Sequence, residues 1–374
     1  MNMRGSASLN PCLHVLDSSA QETLTNPDEM LVHVPGLPME RVEAAQSISR
    51  TFAFRLPGFY AEKVLLGTSD DPLLDLVFPS IDELADGDEL WDATPSPYRA
   101  SDSTFWVQKY EYQGLIRLTT ACSGLCRFCY LKKKNARRSV MKVQDVDQIF
   151  DNLEDRGASL REVILSGGDP LCSPTDVLEA IAARMNRLNS LLRHSRLHVT
   201  IHTREPVWNP VRLLRHQVLL KALGALKPKT YMINVLHPRE VTEEFREACS
   251  ALSEVAGPNA RPVLLCQHPI FRGVNDSVEI LDELYTKLLQ CSPPVLPYYL
   301  VHPFYNGTLP KHRLSISESQ RILQELARRP GCLTPRLVVP TPIGKCQIGP
   351  YESLIKNEDH YVITTKDGRT VALP

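Results

Sequence analysis

The sequence predicts an α/β fold, a partial (β/α)6 barrel that follows a mostly helical N-terminal appendage. From Leu115 onward, short apolar runs typical of strands alternate with amphipathic stretches typical of helices. Six strands separated by five helices require a parallel sheet. An open, doubly wound sheet has the same local pattern, but polar residues follow each strand, and this arrangement favours a barrel with a site at one rim.

The region before the barrel does not show this alternation. It contains a predicted helix at Met39–Ser49 and acidic, proline-containing segments such as Asp70–Pro72. The predicted domains are therefore a helical appendage at residues 1–107, the barrel at 108–303 and a C-terminal extension at 304–374.

The barrel elements are predicted as follows. Strands are expected at Leu115–Thr119, Glu162–Leu165, Leu197–His202, Tyr231–Leu236, Pro262–Gln267 and Leu296–Val301. Helices are expected at Val143–Leu153, Pro174–Leu188, Pro210–Leu223, Glu240–Leu252 and Val278–Leu289. A polar residue at the end of one strand is ordinary, but hydroxyl, glycine and imidazole residues recur at these ends, where barrel enzymes place their sites.

Composition excludes several classes of protein. The chain has 374 residues, of which 43% are hydrophobic and 23% charged, so it is neither disordered nor fibrous. Its 42 basic and 43 acidic residues give a net charge of −1, so no overall field attracts nucleic acid or an anionic membrane. No secretory signal is evident, and no apolar run approaches the roughly 18 residues of a membrane span. We expect a cytoplasmic protein.

Three of the ten cysteines lie together, at Cys122, Cys126 and Cys129. In a reducing compartment such a group indicates metal binding or catalysis. Thiolates at this spacing can bind one face of a [4Fe–4S] cluster and leave one iron open to a substrate or cofactor. A structural zinc site needs four ligands, and no fourth Cys or His is close in sequence. Zinc completed by a distant residue is the alternative.

The cysteine spacing resembles the CxxxCxxC signature of radical S-adenosylmethionine (SAM) enzymes, with the aromatic Phe128 just before the third cysteine. In that superfamily, the amine and carboxylate of SAM chelate the open iron. The end of the second strand resembles the glycine-rich motif that binds the SAM amine. Its residues here are Ser166, Gly167, Gly168 and Asp169.

Within the superfamily, most of the chain resembles the lysine 2,3-aminomutase family. The matching segments are Asp71–Leu74, Lys132–Lys134, Ile164–Leu171, Asn234–Thr242, Phe271–Asp276 and Pro297–Leu300. The resemblance implies a radical SAM isomerase of the aminomutase type. Such enzymes use a 5′-deoxyadenosyl radical and an imine of pyridoxal 5′-phosphate (PLP) to move an amino group from the α- to the β-carbon of an amino acid.

The resemblance also implies roles for several residues. Lys345 matches the lysine that binds PLP, so the C-terminal extension is expected to contribute to the PLP and substrate site. Lys109 and Tyr110 correspond to part of the family's PLP segment. His237 and Gln267 match positions near SAM. The remaining match is Arg204, a basic position near the cofactors that could hold an anionic group or form a structural salt bridge.

Free lysine does not fit this sequence as a substrate. Lysine-specific members have an arginine for the substrate carboxylate where this chain has Leu131, and aspartates for the distal ammonium where it has Phe304 and Pro340. We therefore expect another amino acid or a derivative, with Lys132 or Lys109 as possible partners of its carboxylate.

Other functions stay open on the sequence alone. One is a radical SAM enzyme without PLP, such as an epimerase or a dehydrogenase. Another is a cluster used for electron transfer or structure. Nucleic-acid modification, suggested only by the basic run from Lys132, has little support from the near-neutral charge. The expected partners are a small-molecule substrate, a reductant such as flavodoxin or ferredoxin and, by analogy, a second copy of the chain.

Overall fold

A computed structural model describes most of the chain. The described residues are 22–84, 105–129, 131–132, 139–155, 160–191, 197–303, 309–329, 334–341, 344–349, 355–357, 360–364 and 370–373.

The appendage consists of short elements packed on one side of the barrel. Its elements are β1 (Thr23–Leu24), α1 (Met30–His33), α2 (Met39–Ser49), β2 (Leu56–Pro57), α3 (Gly58–Lys63) and α4 (Leu74–Val77). Strands β1 and β2 pair antiparallel. The predicted helix at Met39–Ser49 is confirmed, and it buries Val42, Ala45 and Ile48, which recur on one face because they are three residues apart.

The central sheet has nine strands, in the order β11-β10-β9-β8-β7-β6-β5-β4-β3. They are β3 (Trp106–Tyr110), β4 (Gln113–Thr119), β5 (Glu162–Gly167), β6 (His198–Thr203), β7 (Thr230–Ile233), β8 (Val263–Pro269), β9 (Leu296–Val301), β10 (Arg336–Thr341) and β11 (Gly344–Ile348). Strands β4 to β10 are parallel, and the two edge strands run antiparallel to their neighbours. The six predicted strands are confirmed, and three more extend the sheet.

Helices cover the outer face of the sheet. They are α5 (Val143–Asp155), α6 (Thr175–Leu191), α7 (Glu205–Trp208), α8 (Pro210–Arg215), α9 (Gln217–Leu226), α10 (Glu243–Glu254), α11 (Val278–Leu289) and α12 (Ile316–Leu326). None of the helices in the described ranges is long and apolar enough to cross a membrane. A separate three-stranded antiparallel sheet follows, formed by β12 (Ile355–Asn357), β13 (His360–Thr364) and β14 (Thr370–Leu373).

Two of the predicted helices differ from the structure. The helix predicted at Pro210–Leu223 is broken at His216, whose side chain accepts a hydrogen bond from the backbone N–H of Leu219 and so caps α9. The helix predicted from Glu240 starts three residues later, because Thr242 caps α10 through the N–H of Phe245.

The sheet curls until its two edge strands approach each other. The backbone N–H of Lys345 on β11 donates to the hydroxyl of Tyr110 on β3 at 2.7 Å. Gly344 makes this approach possible, because a Cβ there would lie 2.9 Å from the same hydroxyl oxygen. The result is a curled half-barrel whose two edge strands come into contact at Lys345, the predicted PLP lysine.

One continuous hydrophobic core includes both the appendage and the barrel. Tyr60 of α3 packs on Trp208, with ring centroids 4.7 Å apart, and its hydroxyl donates to Glu240 at 2.7 Å. Arg239 forms an ion pair of 2.5 Å with Asp71. These contacts fix the appendage against the loops at the carboxyl ends of the strands.

Candidate active site

A cavity of about 570 Å³ lies at the carboxyl ends of the parallel strands. Its wall includes residues that follow six strands and also residues 49–53 and 55 of the appendage. Nine of the predicted site residues line it: Cys122, Cys126, Cys129, Ser166, Gly167, Gly168, Asp169, Arg204 and Gln267. The strand ends therefore meet in one site, as the barrel interpretation requires.

The three cysteines occupy the loop that follows β4, and all are half-buried. Burial raises the pKa of each thiol, that of Cys126 to about 12. A metal centre bound here must therefore displace thiol protons. Within the described part of the chain, no three His, Cys, Asp or Glu side chains converge closely enough to hold a single ion. The thiols line a cavity wall instead, an arrangement suited to a cluster of several irons.

The glycine pair at the end of β5 fits directly against the start of the cysteine loop. Gly167 has a φ of +117°, which favours glycine, and a Cβ on Gly168 would lie 2.3 Å from the carbonyl oxygen of Ala121. The N–H of Asp169 donates to the same carbonyl at 2.8 Å. Glycine is required here because the two backbones touch, and this contact fixes the first cysteine relative to β5.

The carboxylate of Asp169 accepts hydrogen bonds from three other residues of the protein. The donors are the Thr203 hydroxyl at 2.8 Å and the backbone N–H groups of Arg204 and Leu171 at 2.8 and 3.0 Å. Burial, together with the nearby charge of Glu205, raises the pKa of Asp169 to about 6. The carboxylate therefore joins the ends of β5 and β6.

Three residues of the cavity wall have a buried polar atom without a hydrogen-bond partner in the described residues. These atoms are Oε1 of Gln267, Nε of Arg204 and Nε of Arg212. The other nitrogens of Arg204 donate to Glu240 at 2.6 Å and to the Asn234 side chain at 2.7 Å, so the structural salt bridge is present. Unpaired polar atoms in the residues of one cavity wall are candidates for hydrogen bonds to a polar ligand.

Lys345 lies on the inner side of the half-barrel. Its backbone is held by Tyr110, and its ammonium is 5.8 Å from the centroid of the Tyr299 ring. Burial and the Lys345 charge lower the pKa of His202 to about 3. Since His202 lines the cavity, the lysine is close to the wall of the site. The backbone of Lys109 lies in β3, but its side chain is outside the described residues.

Some predicted residues have other roles. His237 lies outside the cavity wall, and its Nδ1 accepts from the N–H of Arg239, capping a short 3-10 turn. Leu131 is buried. Lys132 lines the cavity, and its ammonium lies 3.7 Å from Glu83 and donates to the Arg127 carbonyl. Phe304 lies outside the described residues.

Sequence reasoning missed two parts of the wall. One is His202, which lines the cavity. In the sequence, only its position at the end of a predicted strand indicates a role in the site. The appendage segment that includes Phe52 and Arg55 also lines the cavity. No local pattern marks it, because only the tertiary fold brings it to the site.

Comparisons with known proteins find similarity to radical SAM enzymes. The family model for the radical SAM superfamily matches residues 116–284. The L-lysine 2,3-aminomutase of Escherichia coli is 27% identical over 327 residues, covering 84% of this chain and 88% of that protein. The enzyme of the same name from Clostridium subterminale is 26% identical over 351 residues, covering 91% of this chain and 79% of its own.

The chain therefore contains a radical SAM region and is similar to the lysine 2,3-aminomutases over most of its length. Among solved structures, anSMEcpe with bound AdoMet and a Cp18Cys peptide aligns with a TM-score of 0.42 at 10% identity, covering 58% of each chain. A radical SAM methyltransferase from Sphaerobacter thermophilus aligns with a TM-score of 0.38 at 18% identity, covering 60% of this chain and 66% of that one. The match to the radical SAM model implies a [4Fe–4S] cluster and SAM.

The cavity fits both groups. Three thiols are the ligands that iron–sulfur clusters use, and three leave one iron open. The glycine pair allows close approach of a ligand to the backbone, and Gln267 and Arg204 offer unpaired polar atoms to it.

Proposed function

We propose that this radical SAM protein is an amino acid 2,3-aminomutase that uses PLP, and that free lysine is not its substrate. The observation that carries the proposal is the arrangement of one half-barrel. Thiols and a glycine pair line the cavity at the ends of β4 and β5, and Lys345 on β11 lies near His202, which lines the same cavity.

At the cysteine end, we assign the cluster to Cys122, Cys126 and Cys129. Ser166, Gly167 and Gly168 would hold the SAM amine, and Asp169 would keep their backbone in place through Thr203. Gln267 and Arg204 would bind the rest of SAM through their unpaired atoms. When bound, the cluster and SAM together supply the electron and the carbon radical that abstracts hydrogen.

At the lysine end, the amine of Lys345 would hold PLP covalently, and PLP would stabilise the substrate while its amino group moves. Tyr110 orients Lys345 by accepting its backbone N–H. The low pKa of His202 keeps its imidazole neutral near pH 7, so it can form hydrogen bonds beside the lysine without adding a second positive charge.

The cavity wall disfavours a substrate with a second ammonium group. Asp169 is the only acid among the described residues of the wall, and its oxygens already accept bonds from Thr203, Arg204 and Leu171. A distal ammonium would be desolvated without a carboxylate partner. The proposed substrate is an amino acid or derivative that lacks such a group, and the required partner is a reductant such as flavodoxin or ferredoxin.

Trapping of PLP tests this proposal. The protein is reconstituted anaerobically with iron and sulfide, incubated with PLP and reduced with borohydride, and the pyridoxyl-lysine is mapped by mass spectrometry. We expect label at Lys345 that disappears in Lys345→Ala and persists in Lys221→Ala, which changes an exposed lysine on α9.

Two other outcomes would each contradict a different part of the proposal. A protein that cleaves SAM but takes up no PLP at Lys345 would contradict the aminomutase proposal and favour PLP-independent hydrogen abstraction. A protein that binds PLP at Lys345 and forms a β-amino isomer from lysine itself would contradict only the substrate proposal.

A further inference from the structure

The loop that carries the cysteines is joined to the appendage by a buried ion pair. Arg127 lies between Cys126 and Cys129, and its Nε and one terminal nitrogen donate to the two carboxylate oxygens of Glu83 at 2.9 and 2.8 Å. The side chains are 2% and 0% exposed. Such a bidentate pair fixes the orientation of both groups and is scarcely screened by solvent.

The rest of the Arg127 guanidinium also bonds to the appendage. It donates to the carbonyl of Ala53 at 2.8 Å and to that of Phe52 at 3.1 Å, and the Arg127 backbone N–H donates to Leu76 at 2.9 Å. The N–H of Leu125 adds a bond of 2.9 Å to the carbonyl of Arg55. The cysteine loop is therefore supported by the appendage on several sides.

Glu83 also neutralises a second cation. The Lys132 ammonium lies 3.7 Å from the Glu83 carboxylate, is 8% exposed and stacks over the Phe52 ring at 5.2 Å. With Glu83 ionised, the three side chains carry a net charge of +1, and without it they carry +2. The backbone N–H of Lys132 donates to the carbonyl of Cys129 at 3.0 Å, and Arg127 directly follows Cys126, so both cations belong to the loop that carries the cysteines.

We infer that Glu83 is a positioning residue for the cluster, which holds the cysteine loop in place through Arg127 and offsets the positive charge beside it. This inference rests on the proposed cluster. The reduction potential of an iron–sulfur cluster depends on nearby charge, because positive charge favours the form that has gained an electron. The appendage would thus help to set the potential of a cluster whose ligands all lie in another part of the chain.

The test uses two single variants of the reconstituted full-length protein. Glu83→Gln removes a negative charge and Arg127→Gln removes a positive one. Each leaves a buried charge without its partner, so both are expected to lower the melting temperature. Their effects on the midpoint potential, measured by EPR-monitored redox titration, should have opposite signs: upward for Glu83→Gln and downward for Arg127→Gln. A pair that only stabilised the fold would not separate the variants in this way.

The matched control breaks another ion pair between the appendage and the barrel. Asp71→Asn removes the partner of Arg239 at a site away from the cysteines, so it should lower the melting temperature without moving the potential. If Glu83→Gln does not assemble iron, Glu83→Asp keeps the charge and is expected to keep the potential near that of the wild type.

Different experimental results would overturn this inference and the proposed function. Wild-type protein that binds no iron–sulfur cluster would overturn the proposed function. Wild-type protein with a cluster whose potential is the same in Glu83→Gln and Arg127→Gln would overturn only the role of Glu83.

Discussion

The cysteine end of the half-barrel, which lines the cavity, and the lysine end, whose Lys345 and Tyr110 lie outside the cavity wall, are built in different ways. At the cysteine end, residues 122–129 and 166–169 belong to two adjacent parallel strands and the loops that follow them, and backbone contacts such as Asp169 to Ala121 hold them together. At the lysine end, Lys345 and Tyr110 belong to the two opposite edges of the sheet and meet only because the sheet curls.

The comparison distinguishes residues that short sequence motifs bring together from residues that only the curl of the sheet brings together. The predicted ligands of the cysteine end come from two short motifs on adjacent strands, although the appendage also supports the loop that carries the cysteines. The geometry of the lysine end depends on the curl of the whole sheet. We therefore expect substitutions at the cysteine end to have large effects on iron content, SAM binding and SAM cleavage. Most substitutions at the lysine end should only weaken PLP binding.

The largest effect is expected from Cys126→Ala. Loss of one of three ligands should reduce bound iron to background and abolish formation of 5′-deoxyadenosine, because SAM cleavage depends on the cluster. Iron analysis and product chromatography measure both. Cys249→Ala, in the buried core of α10, is the matched control and should keep its iron. Retention of a full cluster in Cys126→Ala would contradict the ligand assignment.

A smaller effect is expected from Gly168→Ala. The new Cβ would lie 2.3 Å from the Ala121 carbonyl, so the backbone must move apart and the SAM site must change shape. Affinity for SAM, measured by anaerobic calorimetry, should fall by about tenfold or more, which corresponds to about 1.4 kcal/mol. Gly36→Ala, where a Cβ meets nothing within 4 Å, should leave it unchanged. Equal affinities in the two variants would rule out the proposed cradle.

At the lysine end, Tyr110→Phe removes the acceptor of the Lys345 N–H. Loss of one hydrogen bond costs about 1 kcal/mol, so PLP affinity should fall by about fivefold while SAM cleavage is retained. A PLP titration followed by absorbance measures this. Tyr112→Phe, on an exposed neighbour, is the control. Loss of SAM cleavage in Tyr110→Phe would show that the two ends are not separable.

The smallest effect concerns His202. Burial is the main cause of its low pKa and the charge of Lys345 is the second, so Lys345→Met should raise that pKa by a fraction of a unit. Titration of the labelled imidazole by NMR detects such a change, and Lys221→Met should produce none. An unchanged His202 pKa in Lys345→Met would mean that the lysine does not lie beside this histidine.

The sequence is sufficient to predict features that depend on residues close together in the chain. The six central strands were predicted because each is a short apolar run between polar segments. The cysteine loop and the glycine pair were predicted because their chemistry depends on spacing of a few residues. Gly168 is an example, since its contact with Ala121 joins two elements already expected to be adjacent.

The remaining features depend on contacts between distant parts of the chain. Strand β3 contains Gln108 and Lys109 and has a weak apolar pattern, yet it pairs with β4. The contact between Arg127 and Glu83 spans 44 residues, and that between Lys345 and Tyr110 spans 235. Lys132 lines the cavity, where it stays a predicted partner of the substrate carboxylate, but its 3.7 Å contact with Glu83 joins residues 49 positions apart.

The most direct test of the account is EPR spectroscopy of the reduced, reconstituted protein with and without SAM. The account predicts about four irons per chain and the signal of a reduced [4Fe–4S] cluster, which changes when SAM binds to the open iron. A protein that retains zinc instead of iron, or a cluster signal that SAM leaves unchanged, would contradict the assignment of this cavity as a radical SAM site.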